Sequence, residues 1–308
     1  MKKTLQNVTI GIALLIGFTM CARPRINQTG GKEMSAEASA ETNTEPSLLY
    51  KISGNGLERP SYLYGTIHII CPADFTLAPY VEQAVKETSL TVLELDMDDP
   101  DLQTQMQQSM INPGLMNFTE NMDEESRTKL DQILKKQYGA GVQQLGIMKP
   151  FVIQNMLLLK YLPCAAPESY EGRFIELSQQ QEQEIIGLET VAYQFSVFDS
   201  IPQEEQIAWI EDMINDSAST ANEFSRMVEA YKAKDVERLL EISIESEQFL
   251  NYADLLLYQR NQNWIPRIEQ IVKEQSAFIA VGAGHLGGQK GVISLLQDKG
   301  YTVEPVRE

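Results

Sequence analysis

Histidine is nearly absent from this chain: 308 residues hold two, His68 and His285. That scarcity excludes a metal centre or proton relay built mainly of imidazoles. Any imidazole chemistry must run through one or both of these positions. Cysteine is almost as rare, at three, too few for a four-thiolate zinc site or a disulfide-dense scaffold. Basic residues are outnumbered, 25 Lys and Arg against 43 Asp and Glu, for a formal net charge of −18. That balance argues against a nucleic-acid partner, because phosphate binding needs a basic surface. The acidity reads as solubility. Beyond the first twenty residues, no apolar run approaches the ~20 residues of a membrane helix.

What is present begins with a leader. MKKTLQNVTIGIALLIGFTMC has a lysine-bearing start, a mostly apolar middle and then Cys21. This is a secretory signal pattern, either simply cleaved or a lipoprotein signal with Cys21 acylated. Met20 stands where a lipobox usually has Gly, Ala or Ser. The next stretch, ARPRINQTGGKEMSAEASAETNTEP, is polar and lacks apolar periodicity, so it predicts a disordered tether reaching about 25–30 Å. The expected organisation is a signal at 1–20, a tether at 21–46 and one domain at 47–308, large enough for a real core. The chain is then exported, to the periplasm or to the outer membrane or cell surface, with a membrane link through lipid if Cys21 is acylated. Cys71 and Cys164 remain as a pair in an oxidising compartment. A disulfide between them and two separate buried thiols are both open readings.

Within the domain, LLYKISG (48–54) and PSYLYGTIHI (60–69) read as a β-hairpin, APYVEQAVKET (78–88) as a helix and LTVLELD (90–96) as a buried strand. Helical text dominates 99–162, 168–183 and 202–274, interrupted by a short strand at 184–189. Methionines 106, 110, 116, 122, 148 and 156 in this text read as core packing. AFIAVG (277–282) is a strand, 288–298 a helix and YTVEPV (301–306) a last strand. The fold class is therefore α/β, a mixed central sheet formed by N- and C-terminal strands with a large helical section in the middle.

Both histidines close the same four-residue pattern at a predicted strand end: GTIH (65–68) and GAGH (282–285). Glycine permits a sharp turn there and leaves room for a ligand or second side chain. Sites in α/β folds form at the carboxyl ends of sheet strands, so the two imidazoles can converge. LELD (93–96) supplies a carboxylate in the same kind of place. Glu94 lies in apolar sequence and needs a partner, whereas Asp96 reads as a solvated turn. Two histidines and a carboxylate form a donor set for Zn, Mn or Fe with open positions for water. Gly282, Gly284 and Gly287 also spell G-x-G-x-x-G, with Glu304 about twenty residues on. Too little chain follows for the rest of a dinucleotide-binding domain, and that reading leaves GTIH unexplained.

GTIH, LELD, IIGLETVAYQ (185–194) and AVGAGHLGG (280–288) resemble the TraB/GumN family, which includes the Tiki proteases. The resemblance runs over nearly all of the chain after the tether. It implies an α/β domain related to erythromycin-esterase-like proteins. For the Tiki branch it implies a metal-dependent peptidase using both G-x-x-H histidines and a glutamate, which fall on His68, His285 and Glu94. Glu189 in GLET and Arg260-Asn261 in YQRNQNW also fall in segments resembling the family. Glu189 could instead cap a helix, and Arg260 could form a surface ion pair or, if buried, steady Glu94 or a developing oxyanion. The expected function is an exported metal-dependent hydrolase, peptidase-like, with Mn, Co or Zn on His68, Glu94 and His285. Its substrate is a peptide or small molecule. The alternative is a non-catalytic lipoprotein that binds haem, a metal or a peptide.

Overall fold

The computed structural model describes residues 46–307. The signal, Cys21 and nearly all of the tether lie outside the described residues. Six strands form one sheet: β1 (Leu49–Gly54), β2 (Ser61–Thr66), β3 (Leu90–Leu93), β4 (Glu184–Gly187), β5 (Ala277–Gly282) and β6 (Tyr301–Pro305). Their spatial order is β4-β3-β5-β2-β1-β6. β1 runs antiparallel to β2 and β6, while β2, β5, β3 and β4 are mutually parallel. The mixed sheet and the central helical section are as the sequence predicts.

Burial follows from this topology. Every residue of β2, β3 and β5 is buried, because helices cover both faces of the parallel part and their apolar runs need not alternate. Edge strand β6 alternates instead, with Tyr301 and Val303 inward and Thr302 and Glu304 outward. The helices obey local rules. In Glu124–Tyr138, Asp123 accepts from the Ser126 N–H at the N-terminus, Leu130 and Leu134 share the buried face, and Gly139 at φ 74° ends the helix. Two apolar clusters result, one around the sheet and one among the helices, the latter including Phe151, Phe198, Trp209 and Leu256.

Several elements are shorter than their sequence patterns. β2 ends at Thr66 and β3 at Leu93, so His68 and Glu94 lie just beyond their strands rather than in them. The helix expected over 288–298 starts only at Val292, after a turn in which Gly288 takes φ 74°. The helix expected over 168–183 spans Tyr170–Gln180. Met106 and Met122 are buried and Met110, Met148 and Met156 pack against the clusters. Met116 corrects the core expectation: it is 61% exposed, beside the equally open Leu115.

Cys71 and Cys164 are joined in a disulfide, with their Cα atoms 5.8 Å apart. Beside it, Ile70 and Glu168 exchange two backbone hydrogen bonds of 3.1 and 2.8 Å. Together these tie the loop after β2 to the segment that leads into the helix Tyr170–Gln180.

Candidate functional site

Thr66 pairs with Gly282 and Leu93 with Gly187, so β2 ends beside β5 and β3 beside β4, all at the same end of the sheet. Each strand delivers one residue of the predicted set within three positions of its end: His68 after β2, Glu94 after β3, Glu189 after β4 and His285 after β5. This is the carboxyl edge where α/β sheets place their sites. Arg260 reaches the same place from the helix Gln259–Glu274.

His68 Nδ1 lies 2.8 Å from Glu171 Oε1. The same oxygen accepts from Thr66 Oγ1 at 2.6 Å, and Glu171 Oε2 accepts from Ser169 Oγ at 3.0 Å. Burial alone would lower the His68 pKa. The charge and hydrogen bond of Glu171, with help from Glu94, instead hold it above the usual imidazole value. Burial would raise the Glu171 carboxyl, but the His68 imidazole and Thr66 keep it low. Glu171 carries no local signal in the sequence; it is one acid among many in helical text.

His285 is buried, and both ring nitrogens are engaged. Nδ1 lies 2.6 Å from Asn261 Oδ1, and Nε2 lies 3.1 Å from Arg260 Nη1. An arginine can only donate, so Nε2 accepts and Nδ1 carries the proton given to Asn261. Burial and the neighbouring guanidinium push this imidazole down to about 3, so it is neutral at physiological pH. Asn261 also donates to the His285 carbonyl at 3.2 Å, and Trp264 packs 4.5 Å from the imidazole, centroid to centroid.

Arg260 corrects two of its expected roles. It is buried, so it forms no surface ion pair. Its Nη2 donates to Glu94 Oε2 at 2.6 Å and to Glu189 Oε1 at 2.5 Å, Nε donates to Glu189, and Nη1 faces Leu256 O and His285. All five guanidinium hydrogens thus have acceptors, leaving no spare donor for an oxyanion. Arg260 does steady Glu94. Burial would raise the Glu94 pKa, but Arg260, the two imidazoles and the Gly282 N–H at 2.9 Å bring it to about 2. Glu189 is no helix cap: Thr190 caps the following helix, and Glu189 also accepts from Trp264 Nε1 at 3.0 Å.

The paired glycines serve space rather than turning. Gly282 has φ −52°, which any residue can adopt. A Cβ there would stand 3.3 Å from His68 Nε2, 3.4 Å from Glu94 Oε1 and 3.6 Å from His285 Cδ2, so Gly282 marks the point where the three side chains converge. A Cβ on Gly65 would meet Leu286 Cδ1 at 2.8 Å and Ala283 Cα at 3.1 Å, which shows how closely β2 lies against the turn after β5.

The convergence point opens on a cleft at the seam of the two apolar clusters, lined at its polar end by His68, Gln194, Arg260, Gly282 and His285. Gln194, buried and not singled out by the sequence, donates from Nε2 to Glu94 Oε2 at 3.4 Å. Asp96 departs from its expected solvated turn. It is half-buried with one carboxylate oxygen lacking a partner, and burial with Asp98 and Asp99 raises it to about 6.

The donor types His68, Glu94 and His285 suit a divalent metal. As packed they do not fit one, because Arg260 holds Glu94 Oε2 and His285 Nε2 and places a cation against both. Among the described residues no group of three or more His, Cys, Asp or Glu side chains forms a coordinating cluster.

Fold and site thus define an α/β protein with a buried His, Glu and Arg cluster at the ends of its parallel strands. A family model described as the TraB/PrgY/gumN family matches residues 48–305, and the chain belongs to that family. It is also similar to a zebrafish (Danio rerio) protein named metalloprotease TIKI1, at 23% identity over 301 residues. The match covers 80% of this chain and 60% of that relative, so the chain spans well under its full length. No solved structure matches.

Proposed function

We propose that the chain is an exported hydrolase of peptide-like carbonyl substrates, with His68 as its acid-base group. The observation that carries this reading is the His68–Glu171 contact: a carboxylate fixes Nδ1 while the opposite edge of the ring faces Glu94 and the cleft. His68 takes a proton from water as the oxygen attacks the substrate carbonyl, then passes that proton to the departing amine or alcohol. Glu94 stays ionised beside it, and Arg260 supplies a fixed positive charge without surrendering a hydrogen bond. The signal pattern in the sequence and the Cys71–Cys164 disulfide support an exported location, since such bonds persist in oxidising compartments, and acylation of Cys21 would add a membrane link. The acidic surface keeps nucleic acid out of the list of partners.

A second reading is metal-dependent hydrolysis with Mn, Co or Zn on His68, Glu94 and His285. It is supported by the convergence of those side chains at Gly282 and by the similarity to a protein named a metalloprotease. It requires Arg260 to leave His285 and Glu94. A binding lipoprotein for haem or peptide is the non-catalytic alternative; both nitrogens of His285 are already engaged, which weighs against haem ligation there.

The test is hydrolysis of a peptide and ester library by the purified chain, with chelator and with each added metal. Activity that survives chelation and disappears in His68→Ala supports the first reading. Activity that demands Mn, Co or Zn transfers support to the second. No turnover together with a Soret shift on adding haem favours the binding alternative.

A further inference from the structure

Past its polar end, the cleft changes character. Its walls there include Val197, Phe198, Met227, Leu239, Leu256 and Leu257, contributed by four separate helical elements. All six are buried, yet all face the same space. Among the described residues no lysine lines it, and the one arginine that does is Arg260, whose donors are already engaged. The carboxylate in the lining, Glu223, adds no positive charge to it.

The apolar wall is also joined to the cluster of charged groups. Asp254–Tyr258 forms a π-helical turn, a rare geometry that recurs at functional sites. It brings Leu256 and Leu257 into the lining, while the Leu256 carbonyl faces Arg260 Nη1 at 3.3 Å. A group seated against these leucines is therefore held within one helical turn of the guanidinium that organises Glu94 and His285.

We propose that this cleft selects substrates with a bulky, uncharged, aliphatic or aromatic group beside the reacting carbonyl, and rejects acidic ones. The word reacting rests on the hydrolase reading above; the selection by the walls does not. Desolvating such a group against six apolar side chains favours it over glycine, whereas a carboxylate set among those side chains is desolvated beside no lysine of the described residues and no arginine with a donor to spare.

The experiment uses the full chain and two readouts. The first is kcat/KM for acetylated amino-acid amides and esters that differ only in Phe, Leu, Gly or Asp at the residue whose carbonyl is attacked. Phe and Leu should exceed Gly by about 10- to 200-fold, with Asp lowest. Met227→Trp, which fills the cleft, should bring the Phe-to-Gly ratio towards one. Leu256→Ala, which enlarges it, should favour Phe over Leu, and serves as the test if the tryptophan variant fails to fold. The second readout is calorimetric binding of acetyl-phenylalaninamide against acetyl-aspartamide, which needs no turnover. Equal binding and equal rates across the series, or a preference for Asp, would overturn the proposal. Apolar-selective binding without hydrolysis of any substrate would sink the hydrolase reading and leave the selection standing.

Discussion

His68 and His285 complete the same G-x-x-H pattern beyond paired ends of adjacent parallel strands, yet the fold gives them opposite surroundings. His68 meets a carboxylate, keeps part of its ring at the cleft and is drawn towards the charged form. His285 meets an amide oxygen and a guanidinium, is buried and is held neutral. Their glycines differ too, Gly65 allowing β2 to lie against the turn after β5 and Gly282 leaving room where the side chains meet. A shared local motif therefore fixes where each imidazole stands, while residues from distant helices fix what it can do. Glu171 draws one towards the charged form; Arg260 and Asn261 engage both nitrogens of the other, which stays uncharged.

The largest effect expected from breaking this contrast comes from Arg260→Ala. It strands the buried carboxylates of Glu94 and Glu189 and should cost about 3–5 kcal/mol in denaturant unfolding. Without that cation His285 should also titrate at a higher pH, visible as a moved imidazole resonance. Next is His68→Ala, expected to lower kcat by roughly 10²- to 10⁴-fold while the melting temperature changes little. Its counterpart His285→Ala should act mainly on stability, by about 1–3 kcal/mol, because it orphans Asn261 and one Arg260 donor. Equal rate losses with equal stability losses in the two variants would erase the distinction.

Replacing both Cys71 and Cys164 by serine should cost about 2–4 kcal/mol and loosen the tie between His68 and Glu171, seen as a lower His68 pKa by NMR. The smallest effects are in the pH dependence of stability. His285 is depressed, so the unfolded chain takes up a proton that the fold refuses; stability falls as pH drops from about 6.5 towards 3. His68 is raised, so its contribution is complete below the unfolded value and fades as pH rises through the folded one. Melting temperatures between pH 4 and 8 should therefore rise less steeply in His285→Asn and more steeply in His68→Asn. Parallel profiles for the two variants would count against the assignment.

Strands at both ends and helices between them were legible because strand alternation and buried runs are local signals, whereas the cysteine count left the Cys71–Cys164 disulfide as one of two open readings. His68, Glu94 and His285 stood out for the same reason: two histidines are easily noticed, and an acid inside VLEL is conspicuous. Glu171 was not, since ESYEGRF reads as an ordinary helix start and nothing in it points across to β2. The contact of Arg260 with Glu94 was one of its open readings, but its hold on Glu189 and His285 was hidden for another reason. A sequence shows which donors exist, but only packing shows that one guanidinium already occupies the lone pairs a metal would use.

The strand order has a consequence for how the protein is made. β2 sits between β1, its hairpin partner, and β5, which is translated more than two hundred residues later. A ribosome that has released everything up to Glu274 has made His68, Glu94, Glu171, Glu189 and Arg260, yet has not supplied the strand that separates β2 from β3 or the Gly282 amide that holds Glu94. Such long-range pairing is slow to form and cannot begin early. The nascent chain thus carries the chemistry in pieces, and assembly of the cluster coincides with completion of the sheet.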